Sequence, residues 1–254
     1  MLLFEQKGRV AIITLNRPNA MNAMNLEIRK EMKELLEKIT FDAGIGAVVL
    51  QAEGKSFCSG GDIGTMGDNA PGSGRLRLKY LHYFIRSLSL CDKPTIAAVN
   101  GYAAGAGFSL ALACDFRIAA DDAKFVASFM NVGLVPDSGA AYFLPRLVGL
   151  AKAKEIIFTP SPINAEKALE LGLANKIVPL AELRPQSIKM AEELAKKPAA
   201  AIALAKLMLN RSFEMDLEQA FDFEALAQDI CFQTPDHLEG INAFKQKRKP
   251  EFNQ

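Results

Sequence analysis

In Gly133-Leu134-Val135-Pro136-Asp137-Ser138-Gly139 one carboxylate stands at a turn between an apolar run and a helix-like stretch. Upstream lie two glycine-rich turns, Ser56-Phe57-Cys58-Ser59-Gly60-Gly61-Asp62-Ile63 and Asn100-Gly101-Tyr102-Ala103-Ala104-Gly105-Ala106-Gly107, and each follows a strand-like run. The first N–H groups of a helix have no partner within it, and glycines let an anion approach them closely. Two such turns meeting in space would hold a developing oxyanion while the carboxylate moves a proton.

Each feature also has a plain structural reading. Asp137 ahead of Ser-Gly-Ala-Ala is ordinary N-cap chemistry. Gly60-Gly61-Asp62 suits a tight turn, with Asp62 as a turn residue. The Gly105-Ala106-Gly107 turn invites a dinucleotide reading with Asp121 or Asp122 downstream, but the third glycine of that fingerprint is replaced by Leu110. Ser109 has neither histidine nor lysine near it in sequence, and a helical serine bonding its own backbone is the simpler expectation. Cys58 reads as a small buried thiol. With only His82 and His237 in the chain, a multi-histidine metal site or a serine triad has little material.

The elements that must position these turns are short. Runs 46–51 and 94–99 are small or β-branched and bounded by turn residues, as buried strands are. A strand at 9–16 is broken by Arg17-Pro18-Asn19 and followed by an amphipathic helix over 25–38, with Ile28, Met32, Leu35, Leu36 and Ile39 on one stripe. A second unit crosses a loop rich in Gly, Pro, Ser and Asn at 67–74 and continues as a helix at 75–90. A third carries a helix over 107–113, with short strands at 116–119 and 124–127 after it. Strands and a helix recurring at intervals of about 45 residues suggest stacked turns of a spiral. From about Leu180 the pattern is helical, at 181–197, 199–211, 215–231 and 236–247, which reads as an appendage for packing or oligomerisation.

At 254 residues and 50% hydrophobic the chain can bury a large core. Its 30 basic and 29 acidic residues leave a formal charge of +1, so the global balance gives no reason to expect nucleic acid or an acidic membrane surface. The cysteines, Cys58, Cys91, Cys114 and Cys231, form no C-x-x-C pair and are expected reduced. The apolar tract from Thr95 to Cys114 has a small-x-x-x-small pattern at Gly101 and Gly105, but Asn100 and the glycines argue for strand-turn-helix rather than a membrane span. The N-terminus lacks a basic leader and a long apolar stretch, so the protein is expected in the cytoplasm.

Taken together, these residues resemble the enoyl-CoA hydratase/isomerase (crotonase) superfamily over essentially the whole chain. The marks are Leu15-Asn16-Arg17-Pro18 with Asn22-Ala23-Met24, Phe57-Cys58-Ser59-Gly60-Gly61-Asp62-Ile63, the run from Pro94 to Gly107 with Cys114-Asp115, Pro136 with the helix after it, and Glu239-Gly240 with Phe244 to Arg248. The resemblance implies an α/β fold, with a crotonase-like spiral of ββα units over 1–195 and a helical oligomerisation region over 196–254. It implies an acyl-CoA thioester substrate, no metal, no cofactor apart from the coenzyme A of the substrate, and a homotrimer or homohexamer. The oxyanion donors would be the N–H groups of Gly61 and Ala106, the latter where the family usually has glycine. Ala23, Ser59, Asp62, Ile63, Gly105, Phe244 and Lys247 would contact the substrate, so truncation after Ala243 is expected to weaken CoA binding. The positions of the two hydratase glutamates hold Ser109 and Phe129, neither of which is an acid. Asp137 falls where double-bond-shifting members carry their single acid, and Gly-Leu-Val-Pro-Asp-Ser-Gly looks most like the epoxyphenylacetyl-CoA isomerase branch. The expected activity is isomerisation, shifting a double bond or opening a ring epoxide; the alternatives are hydration of a 2-enoyl-CoA, with Asp137 alone or with another acid from the loop at 62–74, and a noncatalytic acyl-CoA-binding role. Asp137, among Val135, Pro136, Ala140, Ala141 and Phe143, is expected to be shielded from solvent.

Overall fold

A computed structural model describes residues 1–65 and 72–253. Residues 66–71 of the loop at 62–74, the expected alternative source of a second acid, lie outside those residues.

Two strands, β1 (Leu2–Lys7) and β2 (Val10–Leu15), pair antiparallel, and the chain then forms helix α1 (Leu26–Phe41). Asn25 starts that helix by accepting a hydrogen bond from the Ile28 N–H at 2.9 Å. At its other end Lys93 donates to the carbonyls of Ile39, Thr40 and Asp42, placing a cation where the helix dipole is negative. Next come β3 (Ala47–Ala52), α2 (Ser73–Ser89), β4 (Thr95–Val99), β5 (Tyr102–Ala104), α3 (Ala106–Leu112), β6 (Phe116–Ala120) and β7 (Lys124–Val126). Helices α4 (Ala140–Val148) and α5 (Leu150–Phe158) precede β8 (Ile163–Asn164), α6 (Ala165–Glu170), β9 (Lys176–Val178) and α7 (Leu183–Leu194). Helices α8 (Ala199–Arg211), α9 (Leu217–Phe232) and α10 (Pro235–Lys245) end the chain.

The strands form a sheet ordered β1-β2-β3-β4-β6-β9, parallel except at its first pair, and a smaller one ordered β5-β7-β8. Strands β2, β3, β4 and β6 each hand the chain to a short extended piece in the second layer before the next helix. Isolated bridges Met24↔Gly61 and Cys58↔Ala103 mark those pieces in the earlier units. This is the expected ββα spiral.

Strands β2, β3 and β4 are buried on both faces, which explains their near-continuous apolar runs. Ala11, Ile13, Val48, Leu50, Ala97 and Val99 join the core formed with α1, α2 and α3. The alternate residues Val10, Ile12, Ala47, Val49, Ile96 and Ala98 pack on Leu183, Ala191 and Ala195. The helical tail is therefore not uniform, because α7 is the lid of the sheet. An added Cβ on Gly46 would meet Ala195 Cβ at 3.0 Å, so the helix lies directly on the backbone. Phe57, Phe84, Phe108 and Phe125 are fully buried, each contributing about 2–3 kcal/mol by removal from water.

Among the described residues no helix is long and apolar enough to cross a membrane. The tract from Thr95 to Cys114 is β4, β5 and α3.

Candidate active site

The two glycine turns meet. The Cys58 N–H donates to the Tyr102 carbonyl at 3.0 Å and the Ala104 N–H donates to the Cys58 carbonyl at 2.9 Å, stitching the first turn along β5. Glycine is what permits this approach. A Cβ on Gly60 would lie 2.9 Å from the Ala104 carbonyl oxygen, and one on Gly107 would lie 2.2 Å from the Cys58 carbonyl oxygen. Gly105, at φ 51° and ψ −121°, turns the chain from β5 into α3 in a conformation that L side chains rarely adopt. Met24 braces the first turn from its other side, donating its N–H to the Gly60 carbonyl at 2.8 Å and accepting from the Asp62 N–H at 3.4 Å. This pattern passes over the Gly61 N–H. Among the described residues neither it nor the Ala106 N–H, the first of α3, donates to a protein acceptor.

Asp137 lies on the segment that joins a 3-10 turn at Ser128–Val132 to α4. Its side chain is not the expected helix cap. Ser138 (φ 54°) and Gly139 (φ 83°) are both left-handed, so the cap position falls on Gly139, two residues beyond Asp137. The carboxylate is thereby released from capping. Its Oδ1 accepts from the Ser138 hydroxyl at 2.8 Å, and its backbone carbonyl accepts from the Ser109 hydroxyl at 2.9 Å and the Ala140 N–H at 3.0 Å. Ser109 thus ties α3, which carries the Ala106 N–H, to the Asp137 segment, in addition to a 3.3 Å contact with the Gly105 carbonyl in its own helix. The expected apolar enclosure of Asp137 is not closed by this chain: the residue is half-buried and Val135 is 74% exposed.

Asp62 is occupied structurally. Arg17 donates to its Oδ2 at 2.7 Å and the Gly64 N–H to its Oδ1 at 3.1 Å, and the Arg17 hydrogen bond leads in holding its carboxyl below the ordinary range. Nearby is Arg29, 3% exposed, donating to the carbonyls of Met24 at 2.9 Å and Arg77 at 3.1 Å while, among the described residues, its Nε has no partner. Burial, then Arg77, pull this guanidinium down, while Asp137, Cys58 and Asp62 pull it up. Arg29 therefore supports the turn beneath the oxyanion donors within the field of Asp137. Sequence reading missed it, since it flanks the apolar stripe of α1 and carries no motif. Burial pushes the Cys58 thiol up to about 12, which removes it as a nucleophile.

Of the remaining expected substrate contacts, Ala23 is buried beside Met24 and Ser59 is half-buried, its N–H donating to the Met21 carbonyl at 2.9 Å. Ile63 is exposed on a 3-10 turn at Ile63–Thr65. Phe129 is a buried core residue. Phe244, 86% exposed, lies on α10, and Lys247, at φ 55°, follows it; α10 packs chiefly on α9. Truncation after Ala243 would be a poor probe of CoA contacts. It also removes Arg248, paired with Glu239 and holding that carboxyl at about 2, and Asn253, whose side chain bonds the Lys197 carbonyl and the Ala199 N–H.

A family model described as enoyl-CoA hydratase/isomerase matches residues 5–254. A short-chain-enoyl-CoA hydratase of Clostridium acetobutylicum is 39% identical over 98% of this chain and 96% of its own. A 1,2-epoxyphenylacetyl-CoA isomerase of Escherichia coli is 35% identical over 97% of this chain and 95% of its own. Among solved structures, an enoyl-CoA hydratase from Polaromonas sp. JS666 superposes with a TM-score of 0.95 at 35% identity, covering 99% of both chains.

Proposed function

The chain belongs to the enoyl-CoA hydratase/isomerase family, and from that premise we propose that it is an acyl-CoA isomerase working with one carboxylate, Asp137. The observation carrying this reading is the division of acids around the turns. Asp62 is committed to Arg17, Ser109 and Phe129 are not acids, and Asp137 keeps Oδ2 without a protein partner among the described residues. Hydration must deliver hydroxide to one carbon and a proton to its neighbour, which two acids divide between them; a 1,3-proton shift uses one carboxylate twice.

In a 3-enoyl-CoA, Asp137 takes the C2 proton as that C–H bond breaks, and the electron pair spreads through the dienolate to the thioester oxygen. The Gly61 and Ala106 N–H groups receive that charge, each donor contributing about 3 kcal/mol by the usual cost of deleting one. The same carboxyl returns the proton to C4, leaving a 2-enoyl-CoA with no net change in atoms. Ala23, Ser59, Ile63 and Gly105 line the approach, and Phe244 and Lys247 meet the CoA moiety within a homotrimer or homohexamer assembled through α8–α10. Exposed Leu209, Leu226 and Phe232 on these helices, and Phe213 between α8 and α9, support assembly. We place the enzyme in the cytoplasm, with no cofactor beyond the substrate's own coenzyme A.

A second reading, hydration of a 2-enoyl-CoA, is favoured by the 39% identical relative named a hydratase. Incubating 3-hexenoyl-CoA with the protein in deuterated buffer, followed by NMR, separates the two. Double-bond migration, lost in Asp137→Asn, is expected; a 3-hydroxyacyl product would establish the hydratase, and tight binding without migration or exchange at C2 would leave an acyl-CoA-binding role.

A further inference from the structure

Ser138 is fully buried, yet its backbone is left-handed, a conformation in which an L side chain is strained and glycine is not. Gly133 and Gly139 occupy the neighbouring left-handed positions of the same segment, so a glycine at 138 would satisfy the backbone equally well. What the side chain adds is one hydrogen bond, 2.8 Å from Oγ to Asp137 Oδ1. The backbone of Asp137 is fixed separately, from the α3 side, by the buried Ser109 hydroxyl.

We infer that Ser138 is a positioning residue for Asp137: its hydroxyl holds Oδ1 and leaves Oδ2 as the oxygen that takes the proton from substrate and returns it. The inference rests on the reading of Asp137 as the base. With the Asp137 carbonyl held by Ser109 and Oδ1 by Ser138, rotation of the carboxyl about its own axis is restricted, and Oδ2 meets C2 and then C4 without a search. During transfer the C2–H bond breaks as the Oδ2–H bond forms, and the reverse exchange at C4 releases the carboxylate. The Ser138 hydrogen bond to Oδ1 is kept throughout.

Ser138→Ala and Ser138→Gly test this with 3-hexenoyl-CoA as probe. Both are expected to lower kcat about tenfold with KM within about twofold of the parent. Ser138→Gly should also unfold at the parent temperature or above, because the backbone strain is relieved. That combination of lower kcat with undiminished stability is one a packing role would not produce. Parent-like kcat in both variants, or KM rising in step with a falling Tm, overturns the inference. Asp137→Asn is measured alongside: if it is inactive while both Ser138 variants are unimpaired, positioning fails alone; if it turns over at the parent rate, the base assignment fails and the inference with it.

Discussion

Replacing Gly107 by alanine tests whether the close approach of the two turns sets the oxyanion site. The added Cβ would stand 2.2 Å from the Cys58 carbonyl oxygen and 2.7 Å from Cys58 Cβ, where ordinary contact begins at 3.4 Å. Backbone is on both sides of this contact, so no side-chain rotation relieves it. The first turn of α3 must retreat by about 1 Å from the strand that leads to Gly61, in a core packed at near-crystalline density. Overpacking of this kind costs about 1–3 kcal/mol of stability. Because the retreating turn carries the Ala106 N–H, kcat/KM should fall about 100-fold, equivalent to about 2.7 kcal/mol of transition-state stabilisation. Gly74→Ala is the control: among the described residues nothing lies within 4 Å of its added Cβ, and it sits in α2, so stability should hold or rise by up to about 1 kcal/mol with activity unchanged. Urea unfolding and turnover of 3-hexenoyl-CoA report the two quantities. If Gly107→Ala is destabilised yet retains the parent kcat/KM, donor spacing does not depend on this contact and the reasoning is refuted.

Arg29→Met keeps the length of the side chain and removes a buried cation, so stability should change by less than about 2 kcal/mol. kcat/KM should fall at least about tenfold as the Met24 brace behind Gly60–Asp62 loosens, by the sensitivity of catalysis to small misplacements; parent kinetics would remove Arg29 from the site's support. Lys247→Ala should weaken binding of CoA in a salt-sensitive way while leaving the fold intact, and a titration calorimetry series over ionic strength that matched the parent would exclude a phosphate contact. At pH 8.5 a thiol reagent should label Cys231 first in the native protein, because burial pushes the Cys58 and Cys114 thiols up to about 12; rapid labelling of Cys58 would contradict its burial.

The sequence by itself determined the repeating unit and the chemistry on offer. Runs at 46–51 and 94–99 are largely apolar on both faces and bounded by turn residues, as strands covered on two sides are, and the glycines that follow them could be read directly as sites of close backbone approach. The acid at Asp137 was legible through the family resemblance, since an aspartate among turn residues by itself reads equally well as a helix cap. The plain N-cap alternative for it does not hold, because two consecutive left-handed residues, Ser138 and Gly139, delay the helix start, and serine gives little local signal of that conformation. Only the tertiary structure could place Arg29 under the oxyanion turn, set Ser109 against a carbonyl 28 residues away, and lay α7 over the sheet while α8–α10 keep apolar faces outward. These arrangements depend on which buried donor meets which acceptor after the strands have paired. That choice is made by long-range packing and hydrogen-bond satisfaction, which no local stretch of sequence encodes.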